Sequence, residues 1–174
     1  MFLVAGVLIA LAGGVIVFQE KSHQLPTNQA TSPDKKILSG SFDKDKFKTD
    51  EKWKKILTPQ QYHILREQGT EVPFTGVLNH EKRKGTYYSV GCNEPVFRSE
   101  QKYDSGTGWP SFWAPVHEDA LVLREDTTLP GEPRIEVLDK CGGHLGHVFD
   151  DGPPPTGKRY CMNSEALRFV PDEE

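Results

Sequence analysis

From Pro73 onward the chain alternates between short apolar runs and turn-forming residues, chiefly glycine and proline. Runs of this length are long enough for β-strands and too short for most helices, so the pattern is typical of an antiparallel sheet or a small barrel. No βαβ alternation or glycine-rich phosphate loop is present, which argues against a nucleotide cofactor. The predicted strands are Gly85–Val90, Leu121–Leu123, Arg134–Leu138, Gly146–Phe149, Arg159–Asn163 and Leu167–Val170.

The stretch before Pro73 has helical character. Thr58 is a suitable N-cap, Pro59 suits the first helical position, and Gly69 is expected to end the helix. A short turn that contains Trp53 is expected before it. The predicted fold is therefore mainly β, a small antiparallel sheet or barrel-like domain with short N-terminal helices, occupying residues 47–174.

The first eighteen residues are almost wholly apolar and would span about 27 Å as a helix. This length predicts either a membrane anchor or a signal helix, followed by a polar linker over residues 19–46. Lys21 alone would favour a cytoplasmic domain by the positive-inside rule. The position and length of the segment instead favour export, so we expect a membrane-anchored or secreted protein whose domain is extracytoplasmic (periplasmic or equivalent).

Charge and cysteine content limit the classes of partner and metal site that are compatible with this chain. The formal net charge of -4 and pI of about 5.9 argue against a nucleic-acid partner, because such proteins usually carry a basic face. Only three cysteines occur, Cys92, Cys141 and Cys161. Without a Cys-x-x-Cys pair, a complete tetrathiolate zinc site is excluded.

Cys161 lies in the predicted strand Arg159–Asn163, where alternate side chains share a face. Arg159, Cys161 and Asn163 would then lie together. A guanidinium and hydrogen-bond donors beside a thiol favour its thiolate form, which is the nucleophile. From this stretch alone, a buried and unreactive cysteine is an equally good interpretation.

His144 and His147 are candidate proton-transfer groups, although each alone is more often structural. Three-residue spacing places them on opposite faces of a regular strand. A bulge, which Gly146 would permit, could bring both to one site.

The glycine-containing loop from Asp104 to Trp113 displays Trp109. The indole is either part of the core or a wall for a methyl-sulfur group, because contacts between sulfur and aromatic rings are favourable.

Three stretches together resemble the R-specific (type B) methionine sulfoxide reductases: EVPFTG (71–76), YDSGTGWPSF (103–112) and GGHLGHVFDDGPPPTGKRYCMNS (142–164). The resemblance covers about Trp53 to Val170. It implies a thiol-dependent enzyme that repairs oxidised proteins, with methionine (R)-sulfoxide residues as substrate and a thioredoxin-like reductant as partner. The reaction would leave a sulfenic acid, which thiols can reduce.

The resemblance also assigns roles to residues. It implies that Cys161 attacks the sulfoxide sulfur and that Trp109 holds the substrate methyl group. It implies further that His144, His147 and Asn163 bind and help to protonate the departing oxygen. Arg159 is expected on the substrate side, where it would favour the thiolate.

Many members of that family hold zinc with two Cys-x-x-Cys pairs, whose places are taken here by Ser89 with Cys92 and by Leu138 with Cys141. Two thiolates are too few for a structural site, so we expect no metal. Because the surviving cysteines derive from one site in the family, we expect a disulfide between Cys92 and Cys141. It would favour an oxidising compartment.

A resolving cysteine is also missing. The places where relatives carry one correspond to Thr107 and Thr75. We therefore expect an external thiol to reduce Cys161; recruitment of Cys92 or Cys141 is the alternative.

Two other classes of function are weighed against the reductase. A non-catalytic module that binds oxidised methionine or a partner would not need Cys161. A cysteine hydrolase is conceivable from Cys and His alone, and it would form an acyl intermediate on esters. A zinc-ribbon domain fails on its number of ligands.

Overall fold

The computed structural model describes residues 35–173. The predicted anchor or signal helix over residues 1–18 lies outside the described residues, as does the predicted linker up to residue 34. Within residues 35–173, neither helix has the length and hydropathy needed to cross a membrane.

The described chain contains two helices and ten strands. The helices are α1 (Asp50–Ile56) and α2 (Pro59–Glu67). The strands are β1 (Ile37–Ser39), β2 (Gly85–Ser89), β3 (Pro95–Arg98), β4 (Lys102–Tyr103), β5 (Ser111–Phe112), β6 (Val122–Asp126), β7 (Arg134–Leu138), β8 (His144–Phe149), β9 (Arg159–Met162) and β10 (Leu167–Pro171).

The strands form two antiparallel sheets. The larger has the order β1-β6-β7-β8-β9-β5-β4, and the smaller has the order β10-β2-β3. The mainly β, antiparallel prediction is confirmed. The barrel-like alternative is not: within residues 35–173, β1 and β4 are edges of an open sheet rather than neighbours.

The N-terminal end of α2 forms as its sequence predicts. The Thr58 hydroxyl accepts a hydrogen bond from the Gln61 backbone N–H at 3.2 Å, and Gln61 Oε1 accepts one from the Thr58 N–H at 3.1 Å. The other end differs, since Gln68 rather than Gly69 adopts the left-handed conformation, with φ of 56°. The Gln68 amide donates to Glu136 Oε1 at 2.6 Å, which ties the end of the helix to β7.

Three short strands and one edge strand were not expected from the sequence. β3, β4 and β5 lie in stretches that we did not predict as strands. β1 falls within the predicted linker over residues 19–46 and pairs with β6, although its side chains are exposed. The start of β8 at His144, two residues earlier than expected, matters most because it brings that histidine into the sheet.

The core lies between the two sheets and beneath the helices. Phe97 of β3 and Phe112 of β5 are fully buried, and their rings stack with centroids 4.2 Å apart. Trp53 and Leu65 close the core from the helical side. The sheet that carries β8 and β9 is thereby fixed, because its inner face is packed.

Candidate active site

Cys161 lies on β9, an interior strand of the larger sheet. It pairs in register with His147 of β8 on one side and with Ser111 of β5 on the other. Its thiol is free and half-buried. The thiol opens onto a cavity of about 140 Å³ that Trp109, His147, Phe149 and Asn163 also line. The Thr107 hydroxyl, from a loop 54 positions earlier in the chain, also contacts the thiol.

Burial is the main influence on the protonation of the candidate nucleophile, Cys161. It raises the pKa of the Cys161 thiol, and the Thr107 hydroxyl and the Arg159 guanidinium oppose this shift without reversing it. Arg159 therefore acts in the direction expected of it, by lowering the pKa of the Cys161 thiol, although burial outweighs this effect in the resting protein. The thiol is protonated at neutral pH, so it must lose its proton to a base when substrate binds.

A chain of hydroxyl groups that the sequence reasoning missed approaches the thiol. Ser105 Oγ lies 2.7 Å from Ser111 Oγ and 2.8 Å from Thr107 Oγ1, and Thr107 Oγ1 lies 3.8 Å from Cys161 Sγ. These residues belong to the YDSGTGWPSF stretch, in which the recurring hydroxyls were a signal that could have been used. Thr107 and Ser111 can donate to the sulfur, and Ser105 links the two.

The two histidines are neighbours, as a bulge would require. The pairing of β8 with β7 shifts register between His144 and Gly146, and the two imidazole centroids lie 5.2 Å apart. His144 is buried behind the cavity and shares a hydrogen bond of 2.9 Å with Glu136 through Nδ1. His147 faces the cavity and shares one of 2.8 Å with Asp126 through Nε2. The predicted bulge is confirmed.

Buried carboxylates behind the histidines orient both rings. Glu136 accepts hydrogen bonds from the Arg124 guanidinium at 2.7 and 3.0 Å. Burial acts to raise the pKa of Glu136, but hydrogen bonds and nearby positive charge outweigh it and lower the pKa to about 2. Asp126 accepts from Arg134 at 2.8 Å. These acidic residues were also missed, and their signal was the charged residues on alternate positions of two strands.

Burial lowers the pKa of His147 to about 4, with the neighbouring His144 acting in the same direction. At neutral pH its imidazole is therefore uncharged. Because Asp126 engages Nε2, the remaining nitrogen Nδ1 is available to accept a proton, and it has no hydrogen-bond partner among the described residues.

The neutral His147 makes stability depend on pH. Its pKa is about 4 when folded and about 6.5 when unfolded, so the unfolded chain binds the extra proton between those values. We expect the contribution of His147 to the free energy of unfolding to be fully present above about pH 6.5. The free energy of unfolding should then fall by about 3 kcal/mol as the pH drops to about 4. Urea unfolding across this range measures it. His147→Gln should flatten the slope and the exposed control His117→Gln should not; equal slopes would contradict the assignment.

Trp109 occupies the predicted wall position. Its indole N–H donates to the Glu71 carbonyl at 3.1 Å, and the ring lines the cavity. Gly108 just before it has φ of 94°, and a Cβ there would lie 2.8 Å from that of Pro73. This position accordingly requires glycine, and the backbone contact from Phe74 N–H to the Gly108 carbonyl at 2.7 Å fixes the loop.

Asn163 lies in the lining, but its amide is already engaged. Oδ1 accepts from the Glu71 N–H at 3.0 Å, and Nδ2 donates to the Leu145 carbonyl at 3.1 Å. These two bonds hold the backbone beside the two histidines, so Asn163 positions neighbouring groups. Its contact with the departing oxygen stays a prediction.

Glu71 is the residue that the sequence reasoning missed most clearly. Its carboxylate accepts hydrogen bonds from the backbone N–H groups of Ser164 at 2.7 Å and Glu165 at 3.0 Å, and its carbonyl accepts from Trp109. It joins the tryptophan wall to the turn after β9. The signal was its place in the EVPFTG stretch.

Arg159 lies beside the cavity rather than in its lining. It forms a two-point ion pair with Asp151 at 2.8 Å, and its guanidinium lies 4.3 Å from the centroid of the Phe149 ring. Arg159 thus supports Phe149, which does line the cavity, and a contact between Arg159 and substrate stays a prediction.

Comparison with known proteins agrees with this geometry. The family model described as SelR domain matches residues 57–171. The chain belongs to the SelR family. It is 54% identical over 128 residues to "Peptide methionine sulfoxide reductase MsrB" of Methanosarcina barkeri, covering 73% of this chain and 89% of that protein. It is 55% identical over 123 residues to the protein of the same name from Leptospira interrogans, covering 70% of this chain and 93% of that one.

The zinc site expected of many SelR proteins does not fit the residues of this chain. Cys92 and Cys141 form a disulfide with Cα atoms 5.5 Å apart, so neither is a thiolate. Ser89 donates instead to the buried Asp139 carboxylate, which also accepts from the N–H groups of Cys141 at 3.0 Å and Gly143 at 2.7 Å. With the disulfide intact, only Asp139 of the potential ligand group would remain. The absence of zinc stays a prediction.

Proposed function

We propose that Cys161 reduces methionine (R)-sulfoxide in proteins with the imidazole of His147 as its proton carrier. The reductase activity itself follows from membership of the SelR family and from identities of 54% and 55% to MsrB proteins. The observation that carries the proposal is the free thiol of Cys161, which shares one cavity with Trp109 and His147.

In the chemical step, the Cys161 thiolate attacks the sulfoxide sulfur. Two electrons pass from the thiol sulfur to the substrate sulfur, the S–O bond breaks, and the oxygen ends on Cys161. The products are methionine and Cys161 sulfenic acid. The neutral imidazole of His147 accepts the thiol proton at Nδ1 and passes it to the departing oxygen, while Asp126 stabilises the transient imidazolium.

Substrate orientation comes from two aromatic walls. Trp109 and Phe149 line the cavity together with Cys161, and contacts between a methyl-sulfur group and aromatic rings are favourable. The cavity of about 140 Å³ accepts the end of one side chain rather than a folded surface. An assay of the separate R and S epimers of a methionine sulfoxide peptide with dithiothreitol tests the proposal, and only the R epimer should be reduced.

An external thiol restores Cys161. A first thiol condenses with the sulfenic acid to give a mixed disulfide and water, and a second releases free Cys161 and an oxidised thiol pair. Thr107 takes the place of an internal resolving cysteine, and the Cys92–Cys141 disulfide lines a different cavity. We infer a thioredoxin-like or small-thiol reductant as the partner.

Thr107→Cys should supply the missing internal step. Because Thr107 Oγ1 lies 3.8 Å from Cys161 Sγ, a sulfur in its place lies within reach of the sulfenic acid. We expect the variant, after one turnover without reductant, to contain a disulfide between the introduced cysteine and Cys161 by non-reducing peptide mapping. The matched control Thr75→Cys, at the other family position, should form less of it. A persistent sulfenic acid in Thr107→Cys would contradict the assigned distance.

The proposed location is an oxidising, extracytoplasmic compartment, with the N-terminal segment over residues 1–18 as anchor or signal. The Cys92–Cys141 disulfide supports this, because such bonds persist mainly in secreted and periplasmic proteins. Fractionation of cells that express the full chain tests it, with recovery in the soluble cytoplasm as the contrary result. A non-catalytic binding module is not favoured, since the free thiol opens onto the cavity.

A further inference from the structure

A second cavity lies away from the catalytic residues and is lined by the disulfide itself. It measures about 490 Å³, and its walls include both Cys92 and Cys141. The remaining lining comes from the segment around α1, in particular four lysines, Lys46, Lys48, Lys52 and Lys55. None of these residues lines the cavity at Cys161, so the two sites are distinct.

The positively charged lining of this cavity favours an anionic ligand. Lys46 is paired with Glu94 and with Asp43, which neutralises it. Lys52 and Lys55 lie on the exposed side of α1, and within the described lining Asp45 is the only acidic residue. Phe47, 43% exposed, and Ile56, 53% exposed, add an apolar wall. A small molecule with carboxylates and a short apolar stem matches this lining.

The two sulfur atoms differ in access. Cys92 is half-buried, whereas Cys141 is 1% exposed. An incoming thiolate therefore reaches Cys92 Sγ first, and Cys141 is the leaving sulfur. Which sulfur is attacked and how well the other leaves control the rate of thiol–disulfide exchange.

Lys48 is positioned to favour that departure. Its ammonium lies 3.7 Å from Cys141 Sγ. It is held there by donation to the Gly91 carbonyl at 3.1 Å and by the Trp53 ring, whose centroid is 4.8 Å away. A fixed positive charge at this distance stabilises a thiolate. The Asp139 carboxyl, within 4.8 Å of both sulfurs, is the opposing group, and it is already engaged by the Ser89 hydroxyl and by the N–H groups of Cys141 and Gly143.

We propose that this cavity is a second thiol-reactive site, at which a small anionic thiol of the glutathione type exchanges with the Cys92–Cys141 disulfide. The attacking thiolate forms a bond to Cys92 Sγ, the bond between the two cysteines breaks, and Cys141 leaves as a thiolate beside Lys48. A second anionic thiol then releases Cys92 as a thiolate and forms the oxidised thiol pair. Exchange at this site is separate from the reductase reaction, because it provides no substrate for that reaction and uses none of its products.

The test compares thiols of different charge on the full chain. Glutathione, neutral 2-mercaptoethanol and cationic cysteamine are each reacted with the chain, quenched with N-ethylmaleimide and mapped by mass spectrometry. Each rate is divided by the rate of the same thiol with oxidised dithiothreitol. We expect a relative preference for glutathione of about 10-fold at low salt, which fades at about 1 M salt because the charges are screened. The first adduct should lie on Cys92.

Matched variants separate this site from general reactivity. Lys52→Gln with Lys55→Gln should remove most of the preference for glutathione, while Lys82→Gln with Lys84→Gln, exposed lysines elsewhere, should preserve it. Lys48→Met should slow all three thiols alike. Equal relative rates for the three thiols, a first adduct on Cys141, or no difference between the two double variants would overturn the proposal. None of these readouts requires methionine sulfoxide, so failure here leaves the reductase assignment untouched.

Discussion

Replacement of Cys161 by serine is expected to abolish reduction of the R epimer, with a loss of about 10⁴-fold or more in kcat/KM. A hydroxyl is a far weaker nucleophile toward sulfur, and it cannot carry the transferred oxygen as a sulfenic acid. Ser111 and Thr107 beside Cys161 already show that this environment accepts hydroxyl groups. The measurement is chromatography of a methionine sulfoxide peptide with dithiothreitol.

A matched control separates the nucleophile from the other cysteines. Cys92→Ser with Cys141→Ser removes the disulfide but leaves the cavity at Cys161, because the two cavities share no lining residue. This double variant should lose stability by about 2–4 kcal/mol and keep turnover with dithiothreitol. Turnover by Cys161→Ser, or its loss in a folded double variant, would contradict the assignment.

Replacement of Arg124 by methionine is expected to destabilise the protein by about 3–5 kcal/mol. The Arg124 side chain is 1% exposed and that of Glu136 is 0% exposed, so the change removes both guanidinium donors from Oε2 of a buried carboxylate. The same carboxylate orients His144, and activity should therefore fall together with stability. Urea unfolding measures the first effect and peptide reduction the second.

Two further variants make this result specific. Arg124→Met with Glu136→Gln removes the buried charge and should recover part of the lost stability, as coupled neighbours do. Arg134→Met breaks a pair whose arginine is 29% exposed and should cost less. An Arg124→Met chain within about 1 kcal/mol of the parent would show that the buried pair contributes little.

The strands that sequence predicted best are those buried on at least one face. Arg134–Leu138 was predicted with its observed bounds, and its last three residues are buried. β4 and β5 have two residues each, so they carry no periodicity and exist only because neighbouring strands complete their hydrogen bonds. Every residue of β1 is exposed, and no alternation of apolar and polar residues distinguishes this strand from the polar linker around it.

The residues of the site likewise fall into those that the sequence predicted and those that it did not. Residues within long motifs, such as Cys161, Trp109 and His147, were placed by resemblance, and their shared cavity is observed. Residues that act through distant partners were missed. The contacts of Glu71 with Ser164 cross 93 positions, and only the folded register reveals them. The bonds of Asn163 to the Glu71 N–H and of Arg159 to Asp151 were missed for a related reason, since they form only in the folded chain.

A single turnover without reductant tests the role of Cys161 most directly. The full chain is mixed with excess R or S epimer of a methionine sulfoxide peptide, and dimedone then traps any sulfenic acid. We expect about one methionine formed per chain from the R epimer, dimedone on Cys161, and no reaction with the S epimer. Reduction of both epimers, or methionine formed while Cys161 stays an unmodified thiol, would contradict this assignment.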